Sequence, residues 1–293
     1  MTRIEARDRQ RFQEEFLHRF KVVSSESTAM FHRGMDTIEV VECSEGALAT
    51  FGEHIEAGAV PVIATNHTSL FDGFVVAKLA DDARKRSHGV VEKFDLVIAQ
   101  SLASGKQQEE ANAYFSAVKP FLREYGVEMD LSIPTENDVH YRQVKREKRD
   151  YLQDYLEVAP QEGLGFAIFP EGTVRGGKRN PTTGIINGMR LVKSENDMTR
   201  FIDAVRAKGH DVVVLLGGID GADQMINPDT IFPADAMLSY LLGYADYPTD
   251  GQPIRVVVGE PVVIWAGTEP TDGKELAQKI ANLLPPHRKG VWA

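Results

Sequence analysis

Cysteine is almost absent from this chain: Cys43 stands alone among 293 residues. A single thiol allows no intramolecular disulfide and no cysteine-built zinc site, so a reducing compartment is the expectation. Long apolar runs are missing as well. The best of them, such as Val60 to Ala64 and Val212 to Ile219, are strand-sized; a membrane-spanning helix takes about 18 uninterrupted apolar residues. The first residues, Met1-Thr-Arg-Ile-Glu-Ala-Arg-Asp, mix both charge signs and lack the apolar core of a secretory signal, so no export is expected. Excess positive charge is the third absence. A formal net charge of -10 argues against a general nucleic-acid binder, whose non-specific affinity comes from a basic surface. Any anion site here must be local.

What is present is an ordinary globular composition, 42% hydrophobic and 26% charged, with length for one large domain or one domain with an appendage. Residues 7–22 place Phe12, Phe16, Leu17 and Phe20 on one helical stripe, which predicts an amphipathic helix. Glu14 and Glu15 on its polar side favour docking onto the main domain over a membrane surface. From about Asp36, short β-rich runs alternate with helical patterns, the mark of a layered α/β domain. Strands are expected near Thr37 to Glu42, Pro61 to Ala64, Asp95 to Ala99, Gly165 to Phe169, Asp211 to Gly217 and Arg255 to Val258. Helices are expected over Leu70 to Ala83, Glu109 to Glu124, Val139 to Glu157, Gly184 to Glu195 and Thr199 to Lys208. The expected organisation is a helical N-terminal extension over 1–35, an α/β domain over 36–265 with a mixed central sheet flanked by helices, and a C-terminal helix and tail over 266–293. Residues 228–251, punctuated by Pro228, Pro233 and Pro248, read as a helical insertion or a lid.

Two segments carry chemistry. The first follows the strand Val60 to Ala64 and reads Thr65-Asn66-His67-Thr68-Ser69-Leu70-Phe71-Asp72. Open α/β sheets place ligands at such strand-to-helix junctions. A hydroxyl nucleophile needs a base at neutral pH, and an imidazole oriented by a carboxylate on its other nitrogen supplies one. His67 and Asp72 can form that pair, because one turn of chain lets the Asp fold back toward the His. A capping or packing role for His67 is the alternative, and Thr68 or Ser69 could serve as the helix N-cap.

The second segment follows the strand Gly165 to Phe169 and reads Phe169-Pro170-Glu171-Gly172-Thr173-Val174-Arg175-Gly176-Gly177-Lys178-Arg179. A loop rich in Gly and Thr exposes backbone amides, and the three cations Arg175, Lys178 and Arg179 follow at close spacing. That combination suits a phosphate; a solvated surface loop is the alternative. The other basic run, Arg142, Lys145, Arg146, Lys148 and Arg149, is interrupted by Glu147 and Asp150 and reads as a solvated helix face. The eight histidines form no metal-ligand pattern, and no metal is expected.

Together, Asn66-His67-(four residues)-Asp72 and Phe169-Pro170-Glu171-Gly172-Thr173 resemble the motifs of the glycerolipid acyltransferases, the group that contains glycerol-3-phosphate and lysophosphatidate acyltransferases. The resemblance spans Asp36 to about Val263 and implies a single acyltransferase-type domain. It implies that His67 is the general base, oriented by Asp72, and that Glu171, within Phe169 to Thr173, supports acceptor binding. Arg175 corresponds to an acceptor-phosphate Arg of the family, displaced one place by Val174. The donor it implies is acyl-coenzyme A or acyl carrier protein, with no cofactor, and the acceptor a glycerol-phosphate-type hydroxyl in phospholipid biosynthesis.

Two features depart from the family. The region of its second motif, Val127 to Asp138, holds no Arg or Lys, which leaves Arg123 or Arg142 as candidates for the phosphate. The strand Val212 to Ile219 lacks the proline of the fourth motif. A non-catalytic lipid- or phosphate-binding module and an acyl-thioester hydrolase are the rival readings. The expected location is cytoplasmic, with peripheral contact to the inner face of the membrane through Phe232, Met237, Leu238, Leu241 and Leu242 as an alternative to their packing in the core.

Overall fold

The structure, a computed structural model, describes residue 32 and residues 34–68, 71–96, 98–99, 118–129, 132–133, 162–171, 188–222 and 253–293. In chain order these form β1 (Ile38–Glu42), α1 (Ala47–Glu56), β2 (Val60–Thr65), α2 (Asp72–Arg86), β3 (Lys93–Leu96), β4 (Ile98–Ala99), β5 (Val127–Glu128), β6 (Ser132–Ile133), β7 (Leu164–Ile168), α3 (Asp197–Ala207), β8 (Val212–Asp220), β9 (Ile254–Val258), β10 (Val262–Ile264) and α4 (Gly273–Asn282). Residues 118–124 are helical too. Among the described residues no helix is long and apolar enough to cross a membrane.

The main sheet has the order β1-β9-β8-β2-β7-β3-β5, with β10 beside β8. Its centre, β8-β2-β7-β3, is parallel, and β9 and β10 run antiparallel to β8, so the sheet is mixed and the architecture α/β. All six residues of β2 and all five of β7 are buried, as the continuous apolar runs of strands covered on both faces require. Alternation along β2 and β8 divides the core in two. Ile63, Val213 and Leu215 pack with Leu48, Phe51 and Ile55 of α1 and with Phe74 and Leu79 of α2. Val60, Val62, Ala64, Val212, Val214 and Leu216 pack on the other face, against Phe201, Ile202 and Val205 of α3 and Leu276, Ala277 and Ile280 of α4. Helices therefore cover both faces of the sheet, which leaves the strand ends as the place where loops can gather polar groups.

Every expected strand is present, with shifted bounds. The run Asp95 to Ala99 is divided: β3 ends at Leu96, and β4 pairs with β6 in a separate two-stranded sheet. Strand β10 was not foreseen. It continues β9 along β8, but the pairing jumps from Val258 opposite Gly217 to Val262 opposite Val214, so three residues face two. Gly259-Glu260-Pro261 is thus a β-bulge.

Among helices, α1 was not expected, and the helix over Gly184 to Glu195 is a correction. Residues 188–196 are not helical. Gly188 has φ +73°, and its backbone lies so close to Gly290 that an added Cβ would stand 2.1 Å from the Gly290 nitrogen. Asn196 is extended and caps α3 instead, accepting from the Thr199 amide at 3.2 Å while its own amide donates to Thr199 Oγ1 at 3.0 Å. The expected helices over 7–22 and Val139 to Glu157, most of Glu109 to Glu124, and the segment 228–251 lie outside the described residues.

Candidate active site

The register of β2 against β7 sets the site. Ala64 faces Ile168, and carrying that pairing three residues onward brings His67 opposite Glu171. The pairing is realised in a hydrogen bond: the His67 amide donates to Glu171 Oε2 at 2.7 Å. One residue earlier, the buried Asn66 does the same work toward β8. Its Nδ2 donates to the Ile219 carbonyl at 3.0 Å, and its Oδ1 accepts from the Ile219 amide at 2.6 Å. A side-chain amide thus replaces a ladder pair where β2 has ended, and the His67 loop is tied to both neighbouring strands.

Asp72 is the first residue of α2, and its side chain is wholly buried. A carboxylate suits that place, because the unpaired amides and the dipole of a helix N-terminus favour negative charge. Its Oδ2 lies 2.8 Å from His67 Nδ1. Thr68 completes the arrangement: its amide donates to Oδ2 and its hydroxyl to Oδ1, the latter at 2.9 Å. The residue at the N-cap of α2 is Phe71 and not Thr68, which bonds Asp72 instead; Ser69 lies outside the described residues.

The imidazole of His67 is held on its face as well as on its edge. Phe169 stacks on it with ring centroids 4.0 Å apart and planes 8° from parallel. With the carboxylate at Nδ1, the proton of the neutral ring belongs on Nδ1 and the lone pair on Nε2. Among the described residues Nε2 has no hydrogen-bond partner, and the side chain is 11% exposed. The arrangement presents one basic nitrogen at the carboxyl edge of a mostly parallel sheet.

Glu171 is the half-buried support. Its Oε1 accepts from the Arg190 amide at 2.7 Å while Oε2 holds His67. Burial pushes its carboxyl above the ordinary glutamate range, against the pull of the Arg190 and His67 amides and of His67 itself. A carboxyl raised in the folded state binds more protons there than in the unfolded chain. Its contribution to stability therefore falls as pH rises from the ordinary glutamate pKa through the higher folded one. Glu171→Gln cannot ionise, so urea unfolding across pH 4 to 8 should show the variant gaining on the wild type as pH rises. A constant difference between the two would contradict the assignment.

The structure brings His67, Asp72 and Glu171 together. Gly172, Thr173, Arg175, Lys178 and Arg179 lie outside the described residues, as does Arg142. Arg123 donates to Glu128 at 2.7 Å. Among the described residues no group of three or more His, Cys, Asp and Glu side chains gathers as a metal site. Comparison with protein-family models and with curated proteins finds no match. The geometry must speak for itself. Of the residues that shape it, Asn66 and Phe169 stood inside the two motifs without an assigned role. Arg190 could not be found from sequence, because it acts through its main-chain amide.

Proposed function

We propose that this chain is an O-acyltransferase, moving a fatty acyl group from acyl-coenzyme A or acyl carrier protein to a hydroxyl of glycerol-3-phosphate or lysophosphatidate. The observation that carries the reading is the His67–Asp72 contact of 2.8 Å at the carboxyl edge of the sheet, with Glu171 of the second motif bonded to the same loop. On this reading the α/β fold is a single acyltransferase-type domain, cytoplasmic and in peripheral contact with the membrane that holds or receives its lipid.

In the reaction, His67 Nε2 takes the proton of the acceptor hydroxyl as its oxygen attacks the thioester carbonyl carbon. The tetrahedral intermediate collapses with cleavage of the carbon–sulfur bond, and the imidazolium returns its proton to the departing thiolate. Asp72 stabilises the imidazolium between these steps and keeps the ring from turning. Atoms and charge balance without a covalent acyl-enzyme. Arg175, Lys178 and Arg179 follow Glu171 in sequence and are the proposed partners of the acceptor phosphate.

The test is thiol release from palmitoyl-coenzyme A by the purified chain with glycerol-3-phosphate, lysophosphatidate or no acceptor. Release that depends on an acceptor is the expected result, and it names the acceptor class. Release of free fatty acid without any acceptor would instead make the chain a thioester hydrolase.

A further inference from the structure

The C-terminal turns reach the site. Residues Pro286–Arg288 and Gly290–Trp292 form two short 3-10 turns that lie against the segment 188–190. The Met189 amide donates to the Arg288 carbonyl at 3.0 Å, and the backbones cross at Gly188 and Gly290 with no room for a Cβ on either. Trp292 Nε1 donates to the Arg190 carbonyl at 2.8 Å. Arg190 is thus held at both ends, its carbonyl by the indole and its amide by Glu171 Oε1. Glu171 in turn holds the His67 amide.

A second path starts from the same turns. The buried Arg288 donates from Nε to Asp220 Oδ1 at 2.8 Å, at the end of β8. The residue before it, Ile219, exchanges two hydrogen bonds with Asn66, next to His67. The contacts close into a ring: His67, Glu171, Arg190, the C-terminal turns, Asp220 and Ile219, Asn66, and back to His67.

We infer that Arg288 and Trp292 are positioning residues for His67, acting through this ring from the far end of the chain. Neither touches the imidazole. Their effect runs through the amide of His67 and the side chain of Asn66, so it belongs to the orientation of the base and not to its chemistry. The link from that orientation to a rate rests on the acyltransferase reading; the link from the turns to the loop does not.

Hydrogen exchange at the His67 amide tests the second link directly, in the full-length protein. Trp292→Phe keeps the ring and removes the donor, and Arg288→Met removes the ion pair. Each should speed exchange at His67 by about tenfold, the equivalent of one net hydrogen bond, while the Val62 and Ile63 amides of β2 keep their protection. Arg288→Lys, which retains a cation for Asp220, should restore most of it. With palmitoyl-coenzyme A as donor, kcat should fall about tenfold in Trp292→Phe and KM stay within about twofold. Unchanged protection at His67 in both variants, equal loss throughout β2, or a change confined to KM would overturn the proposal. If exchange responds as expected and even the wild type transfers nothing from either palmitoyl-coenzyme A or palmitoyl-acyl carrier protein, the acyltransferase reading fails and the positioning role stands.

Discussion

Replacing His67 with alanine should lower acyl transfer by about a thousandfold or more, with the protein still folded. On the proposed reading the imidazole takes the hydroxyl proton, and a neutral alcohol attacks a thioester poorly without that removal. The fold should survive because the loop is anchored by main chain and by neighbours. The amide of residue 67 still meets Glu171, and Asn66 still bridges to Ile219. The loss in packing is the face that stacks on Phe169, on a side chain already 11% exposed. Far-UV circular dichroism and a urea melt would verify the fold, and thiol release with the acceptor present would give the rate. A fall of less than about tenfold would end the assignment of His67 as base. A residual rate is expected even in the variant, since binding and orientation of the two substrates contribute independently of the base.

The central strands could be read from sequence because β2, β7 and β8 are buried on both faces and therefore appear as short, almost uninterrupted apolar runs. Helix α1 has an equally plain pattern, with Leu48, Phe51 and Ile55 on one stripe, but it is only ten residues long and starts at Gly46 without a side-chain cap. The opposite error arose at Met189 and Val192. Both are buried at a spacing that imitates a helix, yet they face the core from a path that is not helical, beside the Gly188–Gly290 crossing, a contact between segments far apart in sequence. Strand β10 escaped for a related reason: a bulge interrupts its continuity with β9, and only the pairing with β8 reveals it.

The site divides along the same line. His67 and Asp72 could be singled out as side chains because their chemistry is written in residue type and local spacing, whereas Glu171 was singled out only by the resemblance of its motif. That Glu171 would support the His67 main chain follows from the parallel register of β2 and β7, which no local pattern encodes. The amide of Arg190 is more remote still: any residue but proline could supply it, so its identity carries no signal.

Asp72→Asn should be far milder than loss of the base, and the reason lies in Thr68. In a His–Asp pair, asparagine does most harm by turning its amide nitrogen toward the ring, which forces the proton onto the wrong imidazole nitrogen. Here the oxygen that meets His67 Nδ1 also meets the Thr68 amide, a donor that cannot turn away. An asparagine at 72 keeps its oxygen there, because the reverse orientation would set its amide nitrogen against the Thr68 amide, which can only donate. Its nitrogen then faces Thr68 Oγ1, and a hydroxyl can rotate to accept. The tautomer is preserved, and the negative charge opposite the imidazolium is lost. A hydrogen bond to a charged group is worth about 1.5–3 kcal/mol, so kcat should fall by about tenfold to a hundredfold. Asp72→Ala, which frees the ring and leaves the Thr68 donors unanswered, should fall further, toward the level of His67→Ala. If the Asn variant proved as inactive as the Ala variant, the Thr68 amide would not govern the orientation of residue 72. A fall within those bounds would place the tautomer of the base under the control of a main-chain donor.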